Sequence, residues 1–143
     1  MPAYKTAQTE LQSMQDKFKK DLEDMQKELQ TKYEKFQQEV NDKTPENIRT
    51  RRQQELTELS QKLDQARADD EKALQEASSQ KMQPIITKVM DAINAVAKEG
   101  NYVYIMDSNA AQSAGIFINP ALSENVTAKI RTKLGLSASS AKK

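Results

Sequence analysis

Carboxylates are the side chains in this sequence with the most obvious capacity for chemistry. Glu55 with Glu58, and Asp21 with Asp24, are paired three residues apart, the spacing of acid–base partners on one helix face. Nothing apolar surrounds either pair, and basic residues are close by, so we interpret both as surface charge. The acidic run at 69–71 lacks the spacing of a calcium loop, and successive helical residues point in different directions.

Asp107 and Asn109 are the best catalytic candidates by position, because they follow an apolar run that reads as a strand. No histidine, lysine or cysteine stands beside them, so we interpret them as turn formers. The whole chain lacks histidine and cysteine, which removes the commonest acid–base group, thiol chemistry and disulfides. The three glycines mark the ends of elements and form no nucleotide-binding loop. We therefore predict no enzymatic activity, no metal and no cofactor.

Basic residues crowd one short stretch, termed here the tip cluster: Lys43, Arg49, Arg51 and Arg52. Its simplest interpretation is a solvated helix start. Cations are disfavoured at a helix N-terminus, however, which adds modest support to the alternative of contact with anionic lipid head groups or acidic protein segments. With 22 basic and 21 acidic residues, the chain has no global field to recruit nucleic acid.

The composition favours long helices, since 30% of residues are charged and only 5% are aromatic. Residues 9–40 carry an apolar stripe with gaps of three and four, which makes an eleven-residue repeat and predicts one nearly straight helix. Methionines in the stripe could serve promiscuous contacts, but the strict spacing favours a helix–helix seam. This first stripe comprises Leu11, Met14, Phe18, Leu22, Met25, Leu29, Tyr33, Phe36 and Val40.

A turn near 41–46 interrupts this pattern, and Thr44 followed by Pro45 predicts the N-cap and first turn of a second helix. So short a connection requires antiparallel helices. The second helix is predicted to reach Glu99, with a kink at Pro84. Its weaker stripe leaves little surplus stability, so we expect arms that bend. This second stripe comprises Ile48, Leu56, Leu59, Leu63, Ala66, Ala73, Leu74 and Ala77.

Nine of the thirteen residues at 85–97 are apolar, and no part of the first helix reaches them. We expect them to be covered by the segment that follows the second helix, termed here the foot, or by other subunits. The two short strands predicted in the foot, at 102–106 and 116–118, would be marginal alone, so further strands are expected from another subunit or from residues missing at the N-terminus. The residues expected at an oligomer interface are Ile86, Val89, Met90, Ile93, Val96, Tyr102, Tyr104, Ile116 and Ile118.

The predicted foot follows the second helix. Gly100 is expected as the C-cap, 102–106 and 116–118 as strands, and 110–114 as a loop. A last helix is predicted at 127–134, with Thr127 (or alternatively Ser123) as its N-cap and Gly135 as its stop. The tail at 137–143 is small and polar and is predicted to be disordered.

These elements predict a mostly α fold with a small α+β foot. A long antiparallel helical hairpin (a tentacle) would occupy 3–99, and a small β-containing oligomerisation body would occupy 85–136, with the tail at 137–143.

The foot resembles a known family. The runs at 82–93, 97–102 and 105–110 resemble the Skp (OmpH-like) periplasmic chaperones, and the run at 125–130 resembles that family's final helix start, with Asn125 where aspartate is usual. The resemblance implies a periplasmic homotrimer in which three feet form a β-barrel-like body and three tentacles enclose a cavity. The family's signal peptide and first β-strand would precede Met1, so we expect fewer hydrogen bonds in this body.

The resemblance implies an ATP-independent holdase that sequesters unfolded outer-membrane β-barrel proteins in the cavity between its arms. Two alternatives remain open. A structural or adaptor coiled-coil hairpin would bind one folded envelope partner, and a nucleic-acid or membrane-surface protein would act through the tip cluster and show steep salt dependence.

Overall fold

The computed structural model of the protein describes residues 1–136, and these form four helices. The chain divides into two compact units, one comprising Pro2–Lys81 and the other Met1 with the chain from Met82 onwards. The helices are α1 (Pro2–Glu39), α2 (Glu46–Glu99), α3 (Ser108–Ser113) and α4 (Thr127–Lys133).

The first unit is an antiparallel helical hairpin. Glu39 near the end of α1 forms an ion pair with Arg52 near the start of α2, and Glu10 pairs with Lys81 at 2.5 Å. The spacing between Glu10 and Glu39 along α1 equals the spacing between Arg52 and Lys81 along α2. The helices therefore stay in register between the two ion pairs. The prediction of a mostly helical fold built from long helices is confirmed.

The predicted stripes of both helices lie between them. Every member of the first stripe is half-buried except Tyr33, which is 48% exposed, and every member of the second is half-buried or buried. Between Pro2 and Lys81 only Ala7 and Leu63 are buried. Asp70 occupies a half-buried position in the second helix where an apolar residue would add more stability. The hairpin core is therefore continuous but thin.

The turn between α1 and α2 differs from the prediction at Thr44. Its hydroxyl accepts a hydrogen bond from the Asn41 amide (3.0 Å) and donates to the Glu39 carbonyl (3.4 Å). The first bonds of α2 go instead to the carbonyl of Pro45, from the amides of Ile48 and Arg49. The prediction of Thr44 as the N-cap is wrong, because α2 begins one residue too late for its hydroxyl to reach the helical amides.

In the second unit, α2 continues through Pro84 to Glu99. Proline has no amide hydrogen, so the Gln80 carbonyl lacks its usual helical donor. The helix ends in a left-handed residue, as expected, but that residue is Asn101 (φ 50°) and not Gly100. The Tyr102 amide then bonds the Ala97 carbonyl at 3.0 Å, which closes the helix end.

The two strands predicted in the foot are not observed in the described part of the single chain. Within residues 1–136 neither 102–106 nor 116–118 forms a strand, and α3 replaces the loop expected at 110–114. A strand exists only through hydrogen bonds to a neighbouring strand, and the described part of this chain offers none to either stretch. The β-containing body is thus not confirmed.

The last helix is present, but its cap differs from the prediction. Val126 precedes the first helical residue, Thr127, and the Asn125 side chain accepts a hydrogen bond from the Thr127 amide at 3.1 Å. Thr127 is therefore not the N-cap. Gly135 (φ 66°) ends the helix as predicted, with the Leu136 amide bonded to the Arg131 carbonyl at 2.9 Å. The tail at 137–143 lies outside the described residues.

Candidate binding surfaces

The residues with most capacity for catalysis have structural partners. The Asp107 carboxylate caps α3 by accepting hydrogen bonds from the Asn109 and Ala110 amides, each at 2.9 Å. Glu55 lies 3.8 Å from Arg51 on the same helix. Among residues 1–136 no group of three or more acidic side chains is arranged to hold a metal ion.

Two arginines of the tip cluster hold the hairpin end together. Arg49 donates from Nη2 to the Asn41 carbonyl at 3.1 Å, which braces the turn. Arg52 pairs with Glu39 across the two helices. Both side chains are half-buried, and both already contact groups of the hairpin itself.

The other two members of the cluster are exposed. Within residues 1–136, Arg51 makes only the 3.8 Å contact to Glu55 of its own helix. The Lys43 ammonium has no ion-pair partner in the described part of the chain. The structure therefore divides the cluster into two bracing arginines and two accessible cations.

An open groove of about 410 Å³ lies between α1 and α2 near this end of the hairpin, and we term it the distal groove. Half-buried Phe36 and Leu56 supply its apolar surface. Its charged lining residues are Lys32, Lys35, Glu39, Arg51, Arg52 and Glu55.

The expected interface residues differ in how much surface they leave free. Val96 is already buried at 3% exposure, and Val89, Ile93, Tyr102 and Ile118 are half-buried. The remaining four are exposed: Ile86, Met90, Tyr104 and Ile116. Further large apolar side chains of the second unit are also exposed, namely Val103, Met106, Phe117 and Leu122. So many exposed large apolar side chains within one short unit are typical of a surface that contacts another chain.

Tyr102, Glu124 and Lys129 form a closed set of polar contacts, termed here the clasp. The Tyr102 hydroxyl donates to the Glu124 carboxylate and accepts from Lys129 Nζ at 2.9 Å. Lys129 Nζ also lies 2.6 Å from Glu124 Oε1 and 5.5 Å from the centre of the Tyr102 ring. The clasp ties α4 to the segment that follows α2.

The clasp shifts the acid–base behaviour of its members. The hydrogen bond from Lys129, and then that from Tyr102, holds the pKa of Glu124 below its ordinary value of 4.5. The hydrogen bond that Lys129 donates to Glu124, and then the one it donates to the Tyr102 hydroxyl, raise the pKa of Lys129 above its ordinary value. Both shifts favour the charged pair.

Sequence reasoning missed the clasp and the distal groove. No local pattern indicates the clasp, because Tyr102 lies outside any helix and far from Glu124 in sequence. The groove could have been predicted from the sequence, because antiparallel pairing of the two helices brings 32–39 opposite 51–56.

The fold defines a helical hairpin protein with an accessory helical segment and no assembled catalytic group among its described residues. A family model described as "Outer membrane protein (OmpH-like)" matches residues 1–134. The chain therefore belongs to the OmpH-like family, and the resemblance read from the sequence is confirmed. No curated protein and no solved structure matches the chain significantly.

The OmpH-like family is one of periplasmic chaperones, and membership supports a function of that type at the level of the family. Within residues 1–136, none of the helices contains an apolar stretch of the length and hydropathy needed to cross a membrane.

Proposed function

We propose that this protein is an ATP-independent holdase of the periplasm that sequesters unfolded outer-membrane β-barrel proteins between its helical arms. Membership of the OmpH-like family over residues 1–134 is the observation that carries the proposal. The geometry of the hairpin and of the second unit supports it in two further ways.

The hairpin suits repeated weak contact with an unfolded chain. Its seam is half-buried almost throughout, and between Pro2 and Lys81 only Ala7 and Leu63 are buried. A helix pair with so thin a core opens and bends at low cost, so its arms adapt to clients of different shape. Many weak contacts of this kind hold a client without one dominant binding residue.

The second unit supports oligomerisation. Several large apolar side chains are more than three-quarters exposed, among them Val103 (83%), Tyr104 (79%) and Phe117 (88%). The segments that carry them have no strand partner within the described residues. We propose that copies of this chain, three by family resemblance, cover these side chains and complete a β-containing body from 85–136.

An aggregation assay coupled to a mass measurement tests the proposal. An unfolded β-barrel membrane protein is diluted from urea into buffer with the full chain and without nucleotide, and turbidity and light-scattering mass are followed. We expect suppression of turbidity and a complex of one client per trimer. A chain that leaves the client to aggregate, yet binds one folded envelope protein at fixed stoichiometry, would support the adaptor alternative instead.

A further inference from the structure

The basic side chains that line the distal groove differ in whether an acidic side chain pairs with them. Its lining carries four basic and two acidic side chains. Arg52 is paired with Glu39, and Arg51 lies 3.8 Å from Glu55. Lys32 is paired with Glu28, which lies outside the groove, at 3.4 Å.

Lys35 differs from these residues. Its side chain is exposed, and its ammonium has no ion-pair or hydrogen-bond partner among residues 1–136. Lys35 and Phe36 both line the groove, so one unpaired cation and an apolar surface face the same open space. This combination is complementary to a carboxylate that stands beside an aromatic side chain.

We infer that the distal groove is a docking site for a short segment of an unfolded polypeptide in which an aromatic residue adjoins an acidic one. Phe36 and Leu56 contact the aromatic ring, and Lys35 pairs with the carboxylate. The inference rests on the proposed function, because it specifies which segments of a client the hairpin end prefers.

The groove fits a single carboxylate better than an anionic lipid surface. Glu39 and Glu55 both line it and repel a dense layer of negative charge. The two half-buried arginines of the tip cluster are already engaged, so they offer no additional cation to such a layer. Arg51 lies within ion-pair distance of Glu55, so Lys35 is the groove cation that forms no ion pair among residues 1–136, and one unpaired cation matches one carboxylate.

Three blocked hexapeptides test the inference by NMR titration of the isotope-labelled full chain. One contains Phe-Asp at its centre, the second Phe-Asn and the third Ala-Asp. We expect the Phe-Asp peptide to shift the resonances of Lys35, Phe36 and Leu56. The Phe-Asn peptide should bind about threefold more weakly, the size of effect typical of one exposed ion pair. The Ala-Asp peptide should lose more affinity than that, because burial of an aromatic ring contributes more than one exposed ion pair.

A matched pair of variants isolates the cation. Lys35→Gln should reduce affinity for the Phe-Asp peptide about threefold and remove the discrimination against Phe-Asn. Lys27→Gln, at an exposed position of α1 outside the groove, should retain both. Equal binding of all three peptides, or full discrimination by Lys35→Gln, would overturn the inference. Phosphatidylglycerol vesicles that shift the same resonances more strongly than the peptides would also overturn it.

The aggregation assay separates failure of the groove from failure of the holdase function. If the peptides bind indiscriminately while aggregation is still suppressed, the groove inference alone is lost. If the Phe-Asp peptide binds as expected while a client still aggregates, the groove stands and the proposed holdase function is lost.

Discussion

At the scale of single residues, the clasp depends on the absence of a side chain at Gly100. A Cβ atom built on Gly100 would overlap the ring of Tyr102. That ring cannot simply turn away, because its hydroxyl is bonded to both Glu124 and Lys129. Gly100 is therefore needed for close approach, whereas the left-handed conformation at this helix end belongs to Asn101.

The substitution Gly100→Ala should displace the Tyr102 ring and release α4. We expect a loss on the order of 1 kcal/mol in the free energy of unfolding, and faster amide hydrogen exchange within Thr127–Lys133. The double variant Gly100→Ala/Tyr102→Ala should be no less stable than Tyr102→Ala alone, since the overlap is then gone. Additive losses in the double variant would contradict this account.

The clasp should also respond to acid. Because the folded-state pKa of Glu124 is lowered, its stabilising contribution is complete above about pH 4.5 and is lost as the pH falls through the folded-state value. Amide exchange in α4 should therefore accelerate on acidification below pH 4.5 relative to exchange in α1. In Glu124→Gln this specific acceleration should disappear; its persistence would assign the acid response to another group.

At the scale of elements, the hairpin combines a thin apolar core with exposed ion pairs at its two ends. Leu63 is 5% exposed and lies near the middle of α2. The two interhelical ion pairs, Glu39–Arg52 and Glu10–Lys81, are partly exposed to solvent. Exposed pairs contribute little to stability but require one register, so burial supplies the energy and the ion pairs supply specificity.

This division predicts unequal effects of two substitutions. Leu63→Ala should cost about 2 kcal/mol in the free energy of unfolding, the lower end for a buried leucine, because a thin core relaxes around the lost side chain. Arg52→Gln should cost less than about 1 kcal/mol. Urea denaturation followed by circular dichroism measures both. An equal loss of unfolding free energy in the two variants would mean that the ion pairs at its ends stabilise the hairpin as much as its apolar core does.

At the scale of the whole molecule, the apolar side chains of the second unit need covering. Ile86 and Met90 lie one turn apart on α2 and are about half exposed, whereas Ala92 and Val96 of the same segment are buried. A single chain that covers one face of this segment and leaves another open is incomplete unless further copies pack on it. The proposed oligomer meets that requirement.

The oligomer proposal predicts that Met90→Asp lowers the mass of the assembly in solution. A carboxylate buried at an interface carries a large desolvation cost, whereas a carboxylate on a free surface has almost no effect on stability. Gln54→Glu adds the same charge to the same helix at an exposed position of the first unit, outside 85–136, and serves as the control. Light scattering that finds equal mass for both variants would show that other chains do not cover Met90.

The sequence by itself determined the two long helices and their seam. The eleven-residue repeat of the first stripe and the interruption before Pro45 depend only on neighbours within a few turns, and such local patterns are readable along the chain. The stops near Gly100 and at Gly135 were also predicted, although the first of them uses Asn101. The family resemblance in the foot was likewise visible from its residues.

Only the tertiary structure showed which elements form in the foot and where the binding surfaces lie. The stretches 102–106 and 116–118 have strand-like composition, but a strand needs hydrogen-bonding partners that composition cannot supply. The clasp joins Tyr102 to residues more than twenty positions away, and no periodicity links them. Which basic residue of the distal groove stays unpaired depends on the register between α1 and α2. Local patterns specify where helices form, whereas the partners of individual side chains are fixed only when distant segments meet.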